Sequence, residues 1–265
     1  MVPTSNPALS FALVISAFAV VAAVAGFLFR DALLARKIQP GSFRWPYVKT
    51  ELRYGLFNLA IVTVTITGLI SWWTQIGWIE LRTGPVSGWT IAGEYALSFF
   101  LFDAYFYWVH RLMHKEPYYS WVHKLHHRST APVPITSWSM NPIEGVIEGM
   151  FTPLFMVIFT IHEATVPFIV PTSILMGLYV HSGFELLPRW WNKTWLTKWF
   201  ISASFHDEHH HYFTGNFGGY TTIWDRLCGT MRPKYETNFD SASARRLNRA
   251  KARADKDVTG SQQVL

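Results

Sequence analysis

The sequence predicts an all-α integral membrane protein with four to five transmembrane helices, and three observations carry that prediction. Half of the 265 residues are hydrophobic and 17% are aromatic, while only 15% are charged, against about a quarter in an average soluble domain. The apolar residues gather in runs of bilayer length that carry almost no charge. The basic residues border those runs and do not interleave with aromatics in a soluble motif, as the positive-inside rule expects. Their placement also argues against nucleic acid as the partner of a chain with net charge +6. A lone cysteine, Cys228, makes no internal bridge, which rules out a disulfide-stapled secreted scaffold and fits a reducing compartment.

Five segments follow in chain order. Residues 1–29 hold no charge, and the run 9–29 suits a hydrocarbon core of roughly 30 Å at about 1.5 Å per residue. No positive charge precedes it, so it reads as a retained span and not as a signal peptide. The second run, 56–79, is uncharged and ends in Trp72, Trp73 and Trp78, as at a membrane interface. The third, 89–109, contains Glu94 and Asp103 and leads straight into His110. The fourth and fifth, 143–161 and 164–180, are separated by His162 and Glu163, and Pro167 and Pro171 interrupt the fifth. With five spans, 30–53, 110–142 and 181–265 share one side, and of the 23 Lys and Arg only Arg82 falls on the other. That side is expected to be cytoplasmic. The chain reads as a single membrane domain over 1–265. Its basic tail, 241–265, is expected to lie near anionic lipid.

Nine of the 11 histidines fall in two windows. His110 and His114 form H-R-L-M-H, His123, His126 and His127 form H-K-L-H-H, and His206, His209, His210 and His211 form H-D-E-H-H-H. Spacings of three and four put side chains on one helical face, so the first box offers two imidazoles to one point and the second offers up to three. Eight imidazoles packed together without a cation would leave many buried nitrogens unpartnered. Eight ligands are too many for one tetrahedral ion and suit two. Imidazole serves Zn, Cu, Fe and Ni alike, so ligand type does not choose the metal. The zinc-protease H-E-x-x-H pattern is absent, since Val166 stands where its second histidine belongs.

The three boxes resemble those of the fatty acid hydroxylase / sterol desaturase superfamily, integral-membrane di-metal oxygenases, and the likeness covers roughly residues 95–233. Residues 103–110 (D-A-Y-F-Y-W-V-H) resemble the helix entering the first box. Residues 216–230 (N-F-G-G-Y-T-T-I-W-D-R-L-C-G-T) are similar to the segment after the third, above all in the sterol C5-desaturase branch. Residues 132–137 (P-V-P-I-T-S) and 141–144 (N-P-I-E) resemble that branch too, although Asn141 replaces its usual histidine. The resemblance implies a catalytic region over 103–233 and a ligand set of His110, His114, His123, His126, His127, His206, His209 and His210. The superfamily supplies one more histidine between boxes two and three, and His181 stands in that place. His162 is expected on the opposite side of the membrane and His211 in a supporting or packing role. Asp103, seven residues before His110 on the same helical face, could orient that ring. Glu185, four residues after His181, could be an outer acceptor or a ligand, and Asn216 is expected to support the site. Glu144 and Glu148 stand at the mouth of the fourth segment, open between site and surface.

The implied cofactors are two Fe ions, which zinc can replace on purification. The implied activity is O2-dependent oxidation of a membrane lipid, with sterol C5-desaturase-like chemistry as first choice. Hydroxylation of a fatty-acyl, sphingoid or other lipid is the alternative, and a histidine-rich metal transporter or a zinc-dependent membrane hydrolase are more remote. The chain has no nicotinamide, flavin, haem or iron–sulfur fingerprint, so two electrons must come from an external donor of cytochrome b5 or ferredoxin type with its reductase. Lys115, Lys124, Arg128, Arg189, Lys193 and Lys198 lie near the boxes and could attract an acidic carrier. The expected location is the bacterial inner membrane or the endoplasmic reticulum, with the site facing the cytoplasm.

Overall fold

The computed structural model describes residue 28, residues 30–39 and residues 45–242. Apart from Leu28, the predicted span 9–29 lies outside them, as does most of the basic tail. The described residues form helices and no named strand, with isolated bridges such as Lys37 to Phe184 and Arg82 to His162. The α-helices are α1 (Arg30–Leu34), α2 (Trp45–Gln75), α3 (Gly88–Met113), α4 (Pro142–Gly149), α5 (Phe151–Ile158), α6 (Val166–Val180), α7 (Ala203–Tyr212) and α8 (Ile223–Leu227).

α2 departs from the predicted 56–79. It begins 11 residues earlier, taking in a charged first stretch in which Lys49 and Arg53 are exposed and Glu51 is buried against Ser129 and Thr136. It stops at Gln75, before Gly77 takes a φ of 77°. α3 runs past the expected end at 109 and carries His110 inside the helix, and its start is capped by Ser87, whose hydroxyl accepts the Thr90 N–H. The predicted span 143–161 is instead two eight-residue helices with a break at Met150. The cause is Pro153, whose ring crowds the carbonyl four residues back, at Gly149. The fifth segment, by contrast, is one continuous helix through Pro171, extended at its start to Glu163–Val180 by a 3-10 turn.

Two helices, Trp45–Gln75 and Glu163–Val180, are long and apolar enough to cross a membrane, and only 11% and 17% of their most apolar stretches are buried. Leu56, Phe57, Val64 and Trp72 of α2 each expose more than half of their surface. Apolar faces turned outward on this scale suit hydrocarbon and not water, and the chain is a membrane protein on that ground.

The long elements alternate in direction, so one end of the bundle collects the start of α2, the end of α3, the start of α4 and the end of α6. At the far end Glu94 ties the hairpins together, pairing with Arg82 and accepting the His162 N–H at 2.9 Å. Ile79, Phe151, Phe155, Met156, Ile161 and Ile169 form the apolar core at that end, packed on Phe102 and Tyr105 of α3. Val180, Ile201, Phe205, Tyr235 and Phe239 form a second core beneath α7.

Candidate metal centre

The histidine boxes occupy three kinds of backbone. His110 lies in the last turn of α3 with His114 as its C-cap, and His206, His209 and His210 lie on α7. His123 closes a π-helical turn, Tyr119–His123, and a 3-10 turn, His126–Arg128, follows. π turns of this kind are frequent at functional sites. His181 caps the end of α6.

Nine imidazoles meet at this end of the bundle in two groups. His110, His114, His123, His127 and His209 offer ring nitrogens within 4.8 Å of one another, and His126, His181, His206 and His210 form a second such set. The second and third boxes are therefore divided, so that of the up to three rings expected at one point each box brings two. The i,i+4 pairs His123/His127 and His206/His210 each serve one group, while the histidine between them, His126 in its 3-10 turn or His209 on α7, is rotated into the other.

The rings face one another through Nε2. In the five-histidine group, His110 to His123 is 3.1 Å, His123 to His127 2.9 Å and His114 to His209 3.2 Å. In the four-histidine group, His206 to His181 is 2.9 Å and His210 to His206 3.1 Å. The opposite nitrogens fix the tautomers. Nδ1–H donates to a backbone carbonyl in His110 (Phe217, 2.9 Å), His126 (Ser139, 3.3 Å), His181 (Gly177, 2.8 Å), His209 (Gly215, 2.8 Å) and His210 (Ser129, 2.9 Å). In His123 it donates to the Glu144 carboxylate at 2.7 Å. A neutral ring that gives its only proton outward presents a bare lone pair at Nε2. Lone pairs 3 Å apart repel, and a cation between them removes the conflict.

Protonation is not an alternative resolution. Eight of the nine rings expose between 0 and 6% of their surface, and His114 is half-buried. Burial lowers the His126 pKa to about 4. Burial first, and then neighbouring imidazoles, hold His123, His127, His206, His209 and His210 well below the usual histidine range. Nitrogens bound about 2.1 Å from one ion at right angles stand about 3.0 Å apart, which matches the observed spacings. The donor set fits two metal ions.

The acidic residues expected beside the rings act on the scaffold that carries them. Asp103 does not touch His110, because its carboxylate accepts the N–H groups of Tyr220 and Thr221 at 2.9 and 2.8 Å and the Thr221 hydroxyl. It thereby fastens to α3 the strap whose Phe217 carbonyl orients His110. Asp225 braces the same strap through the N–H groups of Phe217 and Gly218. Glu185 accepts the Ser204 N–H at 3.0 Å in the first turn of α7 and touches no imidazole. Asn216, at a φ of 55°, donates to the Phe205 carbonyl and to Glu208, and so holds α7 without reaching a ring of either group. His211 is exposed and packs on Tyr212, away from both groups. His162 lies at the far end, bonded to Gly84. Glu51 escaped sequence reading altogether. Its one signal was a carboxylate at the margin of an apolar run.

The sequence model of the fatty acid hydroxylase family matches residues 95–230, just over half of the chain. The chain belongs to the fatty acid hydroxylase family. The matched stretch includes all nine clustered histidines of this family member, together with Asp103, Glu144 and Asp225. The chain is 31% identical over 147 residues to methylsterol monooxygenase erg25A of Aspergillus fumigatus, covering 54% of this chain and 48% of that protein. It is 28% identical over 174 residues to the lathosterol oxidase of Mus musculus, covering 62% and 49%. It is 31% identical over 159 residues to the C-4 methylsterol oxidase erg25 of Schizosaccharomyces pombe, covering 58% and 50%. This hydroxylase-family chain thus spans about half the length of the relatives it matches. No solved structure matches it.

Proposed function

We propose that this chain is a membrane-bound non-haem di-iron oxygenase that oxidises a sterol-type lipid with O2 and two external electrons. The observation that carries the reading is the sorting of nine imidazoles into a five-membered and a four-membered group with their lone pairs turned inward. The ligands in this reading are His110, His114, His123, His127 and His209 at one ion, and His126, His181, His206 and His210 at the other. Bound there, two irons supply the capacity to reduce O2 and oxidise an unactivated C–H bond, which no amino-acid side chain has. Zinc acquired on purification would occupy the same nitrogens.

The chain's own groups prepare the site. Five carbonyls and one carboxylate lock the ring tautomers. The near-complete burial of the imidazoles keeps water off the nitrogens. The strap over 216–230, held by Asp103 and Asp225, closes the side next to α3. In the positive-inside reading this end of the bundle faces the cytoplasm, and a lipid reaches it sideways between helices. Lys115, Lys124 and Arg128 are exposed around the second box, where an acidic cytochrome b5 or ferredoxin would meet opposite charge.

A sterol substrate is supported by the sterol names of the relatives. Those names divide between methylsterol monooxygenation and lathosterol oxidation, so C5-desaturase-like chemistry and hydroxylation both stay within this reading. The test is purified protein with sterol, O2 and NADPH, with and without an added reductase and carrier. Turnover only in the complete mixture, with a product heavier by one oxygen or lighter by two hydrogens, supports the reading and selects the chemistry. Iron-independent turnover, or turnover without O2, would overturn it.

A further inference from the structure

We propose that Glu144 makes the two metal centres inequivalent, lending its negative charge through His123 to the five-histidine centre alone. Six ring Nδ1–H groups have a named outer acceptor, and five of those acceptors are neutral backbone carbonyls. The sixth, on His123, is the Glu144 carboxylate, and at 2.7 Å it is the shortest of the six. Among the described residues it is the one carboxylate hydrogen-bonded to a ring of either group.

The surroundings of Glu144 show why this is more than packing. Its side chain is fully buried, with the Glu148 carboxyl nearby, and among the described residues it bonds His123 and no cation while its second oxygen, Oε2, has no hydrogen-bond partner. A buried carboxylate without a counter-charge is costly, and one short hydrogen bond from a neutral ring does not offset that. A metal cation on the far nitrogen of His123 does, because the imidazole transmits the charge. A carboxylate behind a ligating histidine raises the basicity of that ligand and strengthens the metal bond. The fold holds Glu144 in place from two sides. It lies in the first turn of α4, where the helix dipole favours an anion, and Asn141 caps that turn. Its neighbour Gly145 lets α2 approach so closely that a Cβ would stand 2.5 Å from Asn58 Oδ1.

The inference rests on the proposal that both groups bind metal, and the test separates the two ideas by using cobalt(II) alone as the probe. Wild-type protein should bind two cobalt ions per chain. In Glu144→Gln, which keeps a hydrogen-bond acceptor and removes the charge, one ion should bind about 10–100-fold more weakly and the other unchanged. Only one set of cobalt d–d bands should shift. Glu144→Asp, which keeps the charge one methylene further away, should fall between the two and still reports if the Gln protein does not fold. In iron-loaded protein the same Gln variant should move one of two Mössbauer doublets. Wild-type affinity at both sites in the Gln protein, or equal weakening of both, would overturn the role of Glu144, since a purely structural contact predicts one or the other. Tight cobalt binding without iron uptake would count against the di-iron reading and leave the cobalt comparison to decide Glu144.

Discussion

Asp103 and Thr221 stand 118 residues apart in sequence and are joined twice, the Asp103 carboxylate accepting the Thr221 N–H at 2.8 Å and its hydroxyl beside it. This pair is the hinge pin between α3, which carries the first histidine box, and the strap that follows the third. Replacing Asp103 by Ala leaves two buried N–H groups unsatisfied, a loss on the order of 3 kcal/mol. Asp103→Asn keeps an oxygen acceptor for both and should lose much less. Thermal unfolding of the two variants in detergent checks the order, and an Ala protein as stable as wild type would remove the pin.

Single histidine replacements should be counted in metal. His110→Ala and His209→Ala strike the five-histidine group, and His126→Ala strikes the other. Each should abolish turnover and lower bound metal from about two towards one per chain, while the protein still inserts in the membrane. Metal analysis of the three proteins reads the result, and full activity in any of them would break the ligand assignment.

Helix approach can be tested with two glycines of opposite surroundings. A Cβ on Gly145 meets Asn58 and Val62 at 2.5 and 2.7 Å, whereas one on Gly68 meets nothing within 4 Å. Gly145→Ala should therefore destabilise by about 1–3 kcal/mol through overpacking. Gly68→Ala should be neutral or stabilising by up to about 1 kcal/mol, because it removes glycine's entropy loss from the interior of a helix. Parallel unfolding midpoints settle the sign of each.

Acid should unfold the metal-stripped protein early. The His126 pKa is lowered to about 4 by burial, and His123, His127, His206, His209 and His210 lie well below their ordinary value for the same reason. The unfolded chain takes up these protons as pH falls through about 6.5, while the folded chain does not. The unfolded state then binds more protons, so stability falls with pH between about 6.5 and 4. Unfolding midpoints measured across that window should drop, against the smaller opposite pull of Glu185 and Glu208, whose carboxyls burial pushes up. Bound metal should lift the curve without flattening it, since metal-held rings take up no protons either. A flat profile without metal would mean that the rings are not held neutral.

Topology is open to a reporter inserted after Glu116, in an exposed turn, and to one near Gly84 at the other end. The first should read cytoplasmic and the second external. The stretch 129–136 is a poor insertion site, because Ser129 and Thr136 are buried on Glu51. Reversed signals would invert the positive-inside assignment.

The sequence by itself determined the helical class, the apolar character of the two longest membrane-suited helices and all nine histidines that gather at one end of the bundle. Those features are local, because hydropathy is a sum over neighbours and i,i+4 spacing is a property of one helix. Tertiary structure alone decided how the histidines divide. His126 and His127 are adjacent in sequence yet join different groups, since the rotation of about 120° per residue in their 3-10 turn becomes a choice of site only when α3, α6 and α7 converge from fixed directions. The acceptors that fix the rings were equally hidden. Phe217, Gly215, Ser139, Ser129 and Gly177 act through carbonyls that every residue possesses, so residue type carries no trace of them. Glu51 and Glu144 are visible as carboxylates, but their roles depend on burial against partners 21 to 85 residues away, a distance over which sequence pattern holds no geometry.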